Sequence, residues 1–148
     1  MNKIALSALA AVVLSAAFYT TADAHCEVPC GIFTDQMRFE LMLEDTTTIA
    51  KSMDQINKLN SATDAQSKNQ LVRWVTNKEK HAEKIQHIIS QYFMAQRIKA
   101  NDPKYVDKLT KSHAVMVAAM KCKQTVDTKA ADTLKAAILA FHKAYEGK

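Results

Sequence analysis

The chain has 148 residues, a net charge of +5, three cysteines, and only two glycines and two prolines. That length suits one domain, large enough to bury an adequate core. The positive charge is spread over lysines interleaved with glutamates, and the three arginines, Arg38, Arg73 and Arg97, form no stripe; this argues against nucleic-acid binding and leaves a mild field that attracts small anions.

Residues 1–24 differ from the rest. Lys3 gives a basic start, residues 4–18 are apolar apart from Ser7 and Ser15, and Ala22 and Ala24 flank Asp23. This is the layout of a secretory signal peptide. The apolar run is shorter than the roughly 20 residues of a membrane span, so a signal anchor is the lesser alternative. No twin-arginine pair is present, which points to the general export route. The expectation is cleavage by signal peptidase after Ala24 and a mature chain, residues 25–148, that is periplasmic or extracellular with no stable membrane insertion. Cleavage removes one lysine and one aspartate and leaves the charge at +5.

The segment "HCEVPCGIF", residues 25–33, crowds Cys26, Cys30, Pro29 and Gly31 together. With cleavage after Ala24, His25 carries a free α-amine. That amine and the Cys26 amide nitrogen form a five-membered chelate, the Cys26 thiolate adds a fused ring, and Cys30 closes a plane of two nitrogens and two sulfurs. The His25 imidazole can approach axially. A metal that displaces an amide proton and accepts a plane is Ni(II) or Cu(II). Two other readings stand beside this one: a Cys26–Cys30 disulfide, the usual state of paired cysteines in exported proteins, and a tetrahedral zinc site.

After Gly31, glycine and proline are nearly absent, which favours long helices. The first is predicted from Asp35 to Leu59, with Phe39, Met42, Ile49, Met53 and Ile56 on one stripe. Residues 60–69 form a polar turn. The second runs from about Ala65 to Ile98, with Leu71, Trp74, Val75, Ala82, Ile85, Ile89 and Tyr92 inward. Asp102 is expected to cap the third helix with Pro103 at its first position; Tyr105, Leu109, Met116 and Met120 follow. Asp127 or Thr128 caps the fourth, which carries Leu134, Ile138, Phe141 and Tyr145. Short connections predict an all-α, up-down-up-down four-helix bundle with the N-terminal segment as a metal-binding hook. Cys122 reads as a buried free thiol, the methionines as core fillers, His113 and His142 as structural or surface residues, and the stretch from Lys78 to Lys84 as a solvated face.

The segment "HCEVPCGIF" resembles the nickel hook of the nickel-containing superoxide dismutases, whose mature chains begin His-Cys-x-x-Pro-Cys-Gly-x-Tyr. His25, Cys26, Pro29, Cys30 and Gly31 match, and "RFE", "NKEKHAEK" and "SQYF" extend the resemblance along the chain. The resemblance implies one nickel ion per subunit, held by the His25 amine and imidazole, the Cys26 amide and thiolate, and the Cys30 thiolate. It implies that Glu40 holds the axial imidazole and that Tyr92 stands near the open face of the metal. It also implies a homohexamer that disproportionates superoxide to dioxygen and hydrogen peroxide. Phe33 stands where the family has a tyrosine, and His81 where an arginine commonly backs the glutamate. Packing of Phe33, Met37 and Phe39 across an interface would suit such an oligomer. A carrier that binds or delivers metal without turnover, and a structural bundle closed by a Cys26–Cys30 disulfide, are the competing readings.

Overall fold

The computed structural model describes residues 34–147. Within them lie four helices and no strand: α1 Asp35–Leu59, α2 Ala65–His87, which continues as a π-helical segment Ile88–Arg97, α3 Tyr105–Gln124 and α4 Lys129–Glu146. α1 packs on α2 and α3 on α4, and contacts of α2 with α3 and of α1 with α4 close the bundle. The short connections make neighbours antiparallel. The start of α1, the end of the π segment, the start of α3 and the end of α4 therefore share one end of the molecule.

Local chemistry sets the helix ends. The Thr34 hydroxyl accepts from the Met37 N–H at 3.4 Å, and the Asp64 carboxylate from the Ser67 N–H at 2.9 Å, each satisfying a donor that the first turn leaves open. α4 stops at Gly147, whose φ of 77° is left-handed and whose N–H bonds the Lys143 carbonyl at 3.1 Å. The third helix begins later than its sequence suggests. Asp102 accepts from the Lys104 N–H at 2.8 Å and from Lys108 Nζ at 2.5 Å. It thus closes a turn that contains Pro103, and α3 starts at Tyr105. Thr128 occupies the cap position of α4, but Asp127 supplies the side-chain bond, to the Lys129 N–H at 3.0 Å.

The core follows the expected stripes in α1 and α4: Phe39, Met42, Ile49, Met53 and Ile56 are buried, as are Leu134, Ile138 and Phe141. Polar residues inside α1 bond back onto their own helix, Thr46 to the Met42 carbonyl at 2.7 Å and Ser52 to that of Thr48 at 2.8 Å, so their burial leaves no hydroxyl unsatisfied. Two inward assignments are corrected. Val75 and Met120 are exposed, because Lys78, Ala82 and Ile85 set the buried face of α2, and Ser112, Val115, Ala119 and Cys122 that of α3. Phe39 is also not an interface residue. It is 1% exposed and sits in an aromatic cluster with Phe93, Phe141, Tyr145 and His142, ring centroids 4.1–5.7 Å away. Met37 stays exposed.

The stretch from Lys78 to Lys84 is not uniformly solvated either. Lys78 is buried, and its Nζ donates to the Cys122 and Lys123 carbonyls at 2.9 and 2.6 Å and to Glu79 Oε1 at 2.7 Å. It places a cation on the carbonyl end of α3, where the helix dipole is negative. Cys122 is a buried free thiol, as expected, and burial pushes its pKa up to about 11.

Candidate functional site

The end of the bundle where α1 begins carries a polar cluster. Asp35 is the first residue of α1. The Tyr92 hydroxyl donates to its Oδ1 at 2.6 Å and the Tyr145 hydroxyl to its Oδ2 at 2.8 Å. Arg97 Nη2 donates to the Tyr92 oxygen at 2.9 Å, and Arg97 Nε lies 3.0 Å from Asp35 Oδ1. One carboxylate thus joins α1, the π segment and α4, backed by the Phe39, Phe93 and Phe141 rings.

The π segment makes this arrangement possible. An α-helix turns about 100° per residue, so residues five apart point roughly 140° away from each other. In a π-helix the i→i+5 bond brings such residues nearly into line. Here the Ile98 N–H bonds the Phe93 carbonyl at 2.9 Å, and both residues are buried. Tyr92 and Arg97, also five apart, meet: the guanidinium lies 5.0 Å from the ring centroid as well as on the hydroxyl. Arg38 of α1 approaches the same ring at 5.9 Å. Cations this close to an aromatic ring suit its quadrupole.

The electrostatics follow from this packing. Burial and the bond to Asp35 push the Tyr92 phenol above its ordinary value, with Arg97 opposing them. Burial, and then Asp35, push Tyr145 up further. The Tyr92 oxygen in turn raises Arg97. At neutral pH both tyrosines keep their protons and direct them at the carboxylate.

Of the residues singled out in the sequence, Tyr92 belongs to this cluster. His25, Cys26 and Cys30, with Phe33, lie outside the described residues. Glu40 is exposed on α1 and accepts from Gln36 Nε2 at 2.9 Å. His81 does not back it. His81 Nδ1 pairs with Asp45, which also faces Lys84 Nζ at 4.0 Å. Asp45 lies five residues beyond Glu40, over a helical turn further along α1. Asp35, Arg97 and Tyr145 were not singled out as site residues. Asp35 lies 57 residues from Tyr92 and 110 from Tyr145. The available signal was Tyr145 on the inward stripe of α4, whose hydroxyl needs a partner when buried.

Among the described residues no three His, Cys, Asp or Glu side chains are grouped to hold a metal ion, and no helix is long and apolar enough to cross a membrane. No curated protein and no solved structure matches the chain. The family model described as nickel-containing superoxide dismutase matches residues 20–148, which take in the hook-like segment and all four helices. The chain therefore belongs to the nickel-containing superoxide dismutases, oxidoreductases with a nickel cofactor.

Proposed function

We propose that the mature chain begins at His25 after removal of residues 1–24, and that nickel is held by the His25 amine and imidazole, the Cys26 amide and thiolate, and the Cys30 thiolate. The observation that carries this reading is the family match, which begins ahead of His25 and runs unbroken through the bundle. The donor set suits the metal. Thiolates and an anionic amidate are strong donors that would stabilise the higher oxidation state of the metal. The third thiol is a poor substitute, since Cys122 is buried with its pKa near 11, and only a thiolate binds metal well.

Bound nickel supplies one-electron exchange, so that two superoxide ions and two protons become one dioxygen and one hydrogen peroxide. The protein's own groups do the rest. The His25 imidazole would add a further nitrogen donor, and Glu40 would accept from its second ring nitrogen and fix its orientation, as carboxylates do for metal-bound histidines. Asp35 follows residue 34 directly, so the tyrosine cluster stands where residues 25–33 join the bundle, and Tyr92 is the group that meets the substrate. Arg38 and Arg97 beside Tyr92 favour the approach of a small anion.

The enzyme assembles as a hexamer, in which a neighbouring subunit covers the hook and shields its thiolates from oxidation by the peroxide product. It works in the periplasm or outside the cell. The test is a chain with one additional Ala before His25. The amine becomes an amide and loses its lone pair for the metal, so nickel-dependent activity should vanish while both thiols remain. Full activity in that chain would overturn the coordination reading.

A further inference from the structure

Phe39 is the first residue of α1 that the core buries. Ahead of it the helix holds itself weakly. Its cap bond, from the Met37 N–H to the Thr34 hydroxyl, is long at 3.4 Å, and Gln36 and Met37 are exposed. A first turn leaves its N–H groups without helical partners and frays readily. Asp35 counters this. Its Oδ1 faces Tyr92 and Arg97 of the π segment, and its Oδ2 accepts from the Tyr145 hydroxyl of α4 at 2.8 Å. Tyr145 is firmly placed for that bond. Its ring packs on those of Phe39, Phe93 and Phe141, centroids 5.2–5.9 Å away, and Lys108 Nζ of α3 lies 5.1 Å from its centroid. The last turn of α4 therefore grips the first turn of α1, on the carboxylate oxygen other than the one that faces the π segment.

We infer that Tyr145 is a positioning residue for the nickel site: by holding Asp35 from α4, it fixes where and in which direction the chain ahead of residue 34 leaves the bundle, and so slows loss of the metal. The inference rests on the proposed coordination by residues 25–30. Cys30 is five residues from Asp35, within about 18 Å of it even at full extension, so a swing of the first turn is carried to the ligands. Glu40, the proposed partner of the His25 imidazole, stands on the far side of that turn. Unwinding residues 35–38 replaces a rise of about 1.5 Å per residue by one of about 3.4 Å, which adds about 7 Å of slack between Cys30 and Glu40. The imidazole and the carboxylate must then meet across a looser loop, at a greater cost in entropy. The hydroxyl of Tyr145 is the part that acts on Asp35; its ring is core packing.

The test uses the nickel-loaded mature protein, its Y145F variant, which removes the hydroxyl and keeps the ring, and I138V, which trims the buried core of the same helix. Two quantities are read: amide hydrogen exchange along α1 by NMR, and release of nickel to excess EDTA by metal analysis. In a helix the amides of Phe39, Glu40 and Leu41 bond the carbonyls of residues 35–37, so they report on the first turn. In Y145F their exchange should rise about 10-fold, the low end for one hydrogen bond to a charged group because Asp35 is part exposed, while that of Ile49 in mid-helix is unchanged. Nickel release should quicken by about the same factor. I138V should lower Tm and change neither quantity. First-turn exchange that Y145F leaves in place overturns the inference. So does faster exchange with nickel released at the wild-type rate, or release that I138V quickens equally. If Y145F does not fold, D35N is read by the same two measurements and the same outcomes decide. The exchange comparison is repeated on the chain with Ala before His25, with and without Y145F. Full activity of that chain sinks the coordination reading, whereas loosening of its first turn by Y145F upholds the grip of α4 on α1, so the two failures are told apart.

Discussion

Replacing Lys78 with Met probes how the far end of the bundle is held. Lys78 Nζ makes three hydrogen bonds, two of them to carbonyls at the end of α3, and the residue is 3% exposed. Bonds from a charged donor contribute about 1.5–3 kcal/mol each, so the gross loss in K78M is about 4.5–9 kcal/mol. Two effects offset it. The carbonyl end of α3 borders an open cleft lined by Lys123, Gln124 and Thr125, so water can replace part of the bonding. Burial of the ammonium, costly in itself, is also relieved. Allowing about half the gross loss to be recovered, K78M should lose about 2–4 kcal/mol. For a domain of this size that is a fall of about 8–16 °C in Tm. Melting followed by circular dichroism at 222 nm measures it. Alkylation of Cys122, read by peptide mass mapping, should quicken as α3 frays. A variant melting within about 2 °C of wild type, with Cys122 equally protected, would refute the reasoning.

Four further outcomes are expected. Cys26→Ser and Cys30→Ser should each abolish nickel-dependent turnover and leave the helical signal unchanged, since the four helices pack on an apolar core of their own that includes Phe39, Ile49, Ile85, Val115 and Phe141. His25→Ala should retain nickel through the α-amine but turn over more slowly; metal analysis beside a superoxide assay separates the two effects, and a wild-type rate would rule out the axial role. Tyr145 holds its proton more tightly folded than unfolded, where its pKa is about 10; the stability it contributes is therefore full below pH 10 and declines above it. Alkaline denaturation should begin near pH 10 and be blunted in Y145F. Light scattering of the metal-loaded mature protein should give six subunits, and a fully active monomer would refute both the hexamer and the shielding of the thiolates.

Much of this protein can be read without its structure, because helices are local objects. The 3–4 spacing from Phe39 to Ile56 and from Leu134 to Phe141, with polar turns between, states which residues face inward, and the antiparallel order follows from connections too short for anything else. The chemistry proposed for the hook rests on local sequence too: His25, Cys26 and Cys30 lie within six residues, so the chelating pattern proposed for them would be a property of adjacent backbone. Tertiary structure decided what depends on distance. Asp35 looks like an ordinary first-turn acid until Tyr92 and Tyr145 arrive from 57 and 110 residues away. Lys78 looks solvated until the end of α3 lays two carbonyls on it. The phase of α2 could not be carried through to Arg97, because one π segment re-aims everything after Ile88. His81 pairs with Asp45 rather than Glu40 because reach across two packed helices is set by the register between them, and no spacing within a single helix encodes that register.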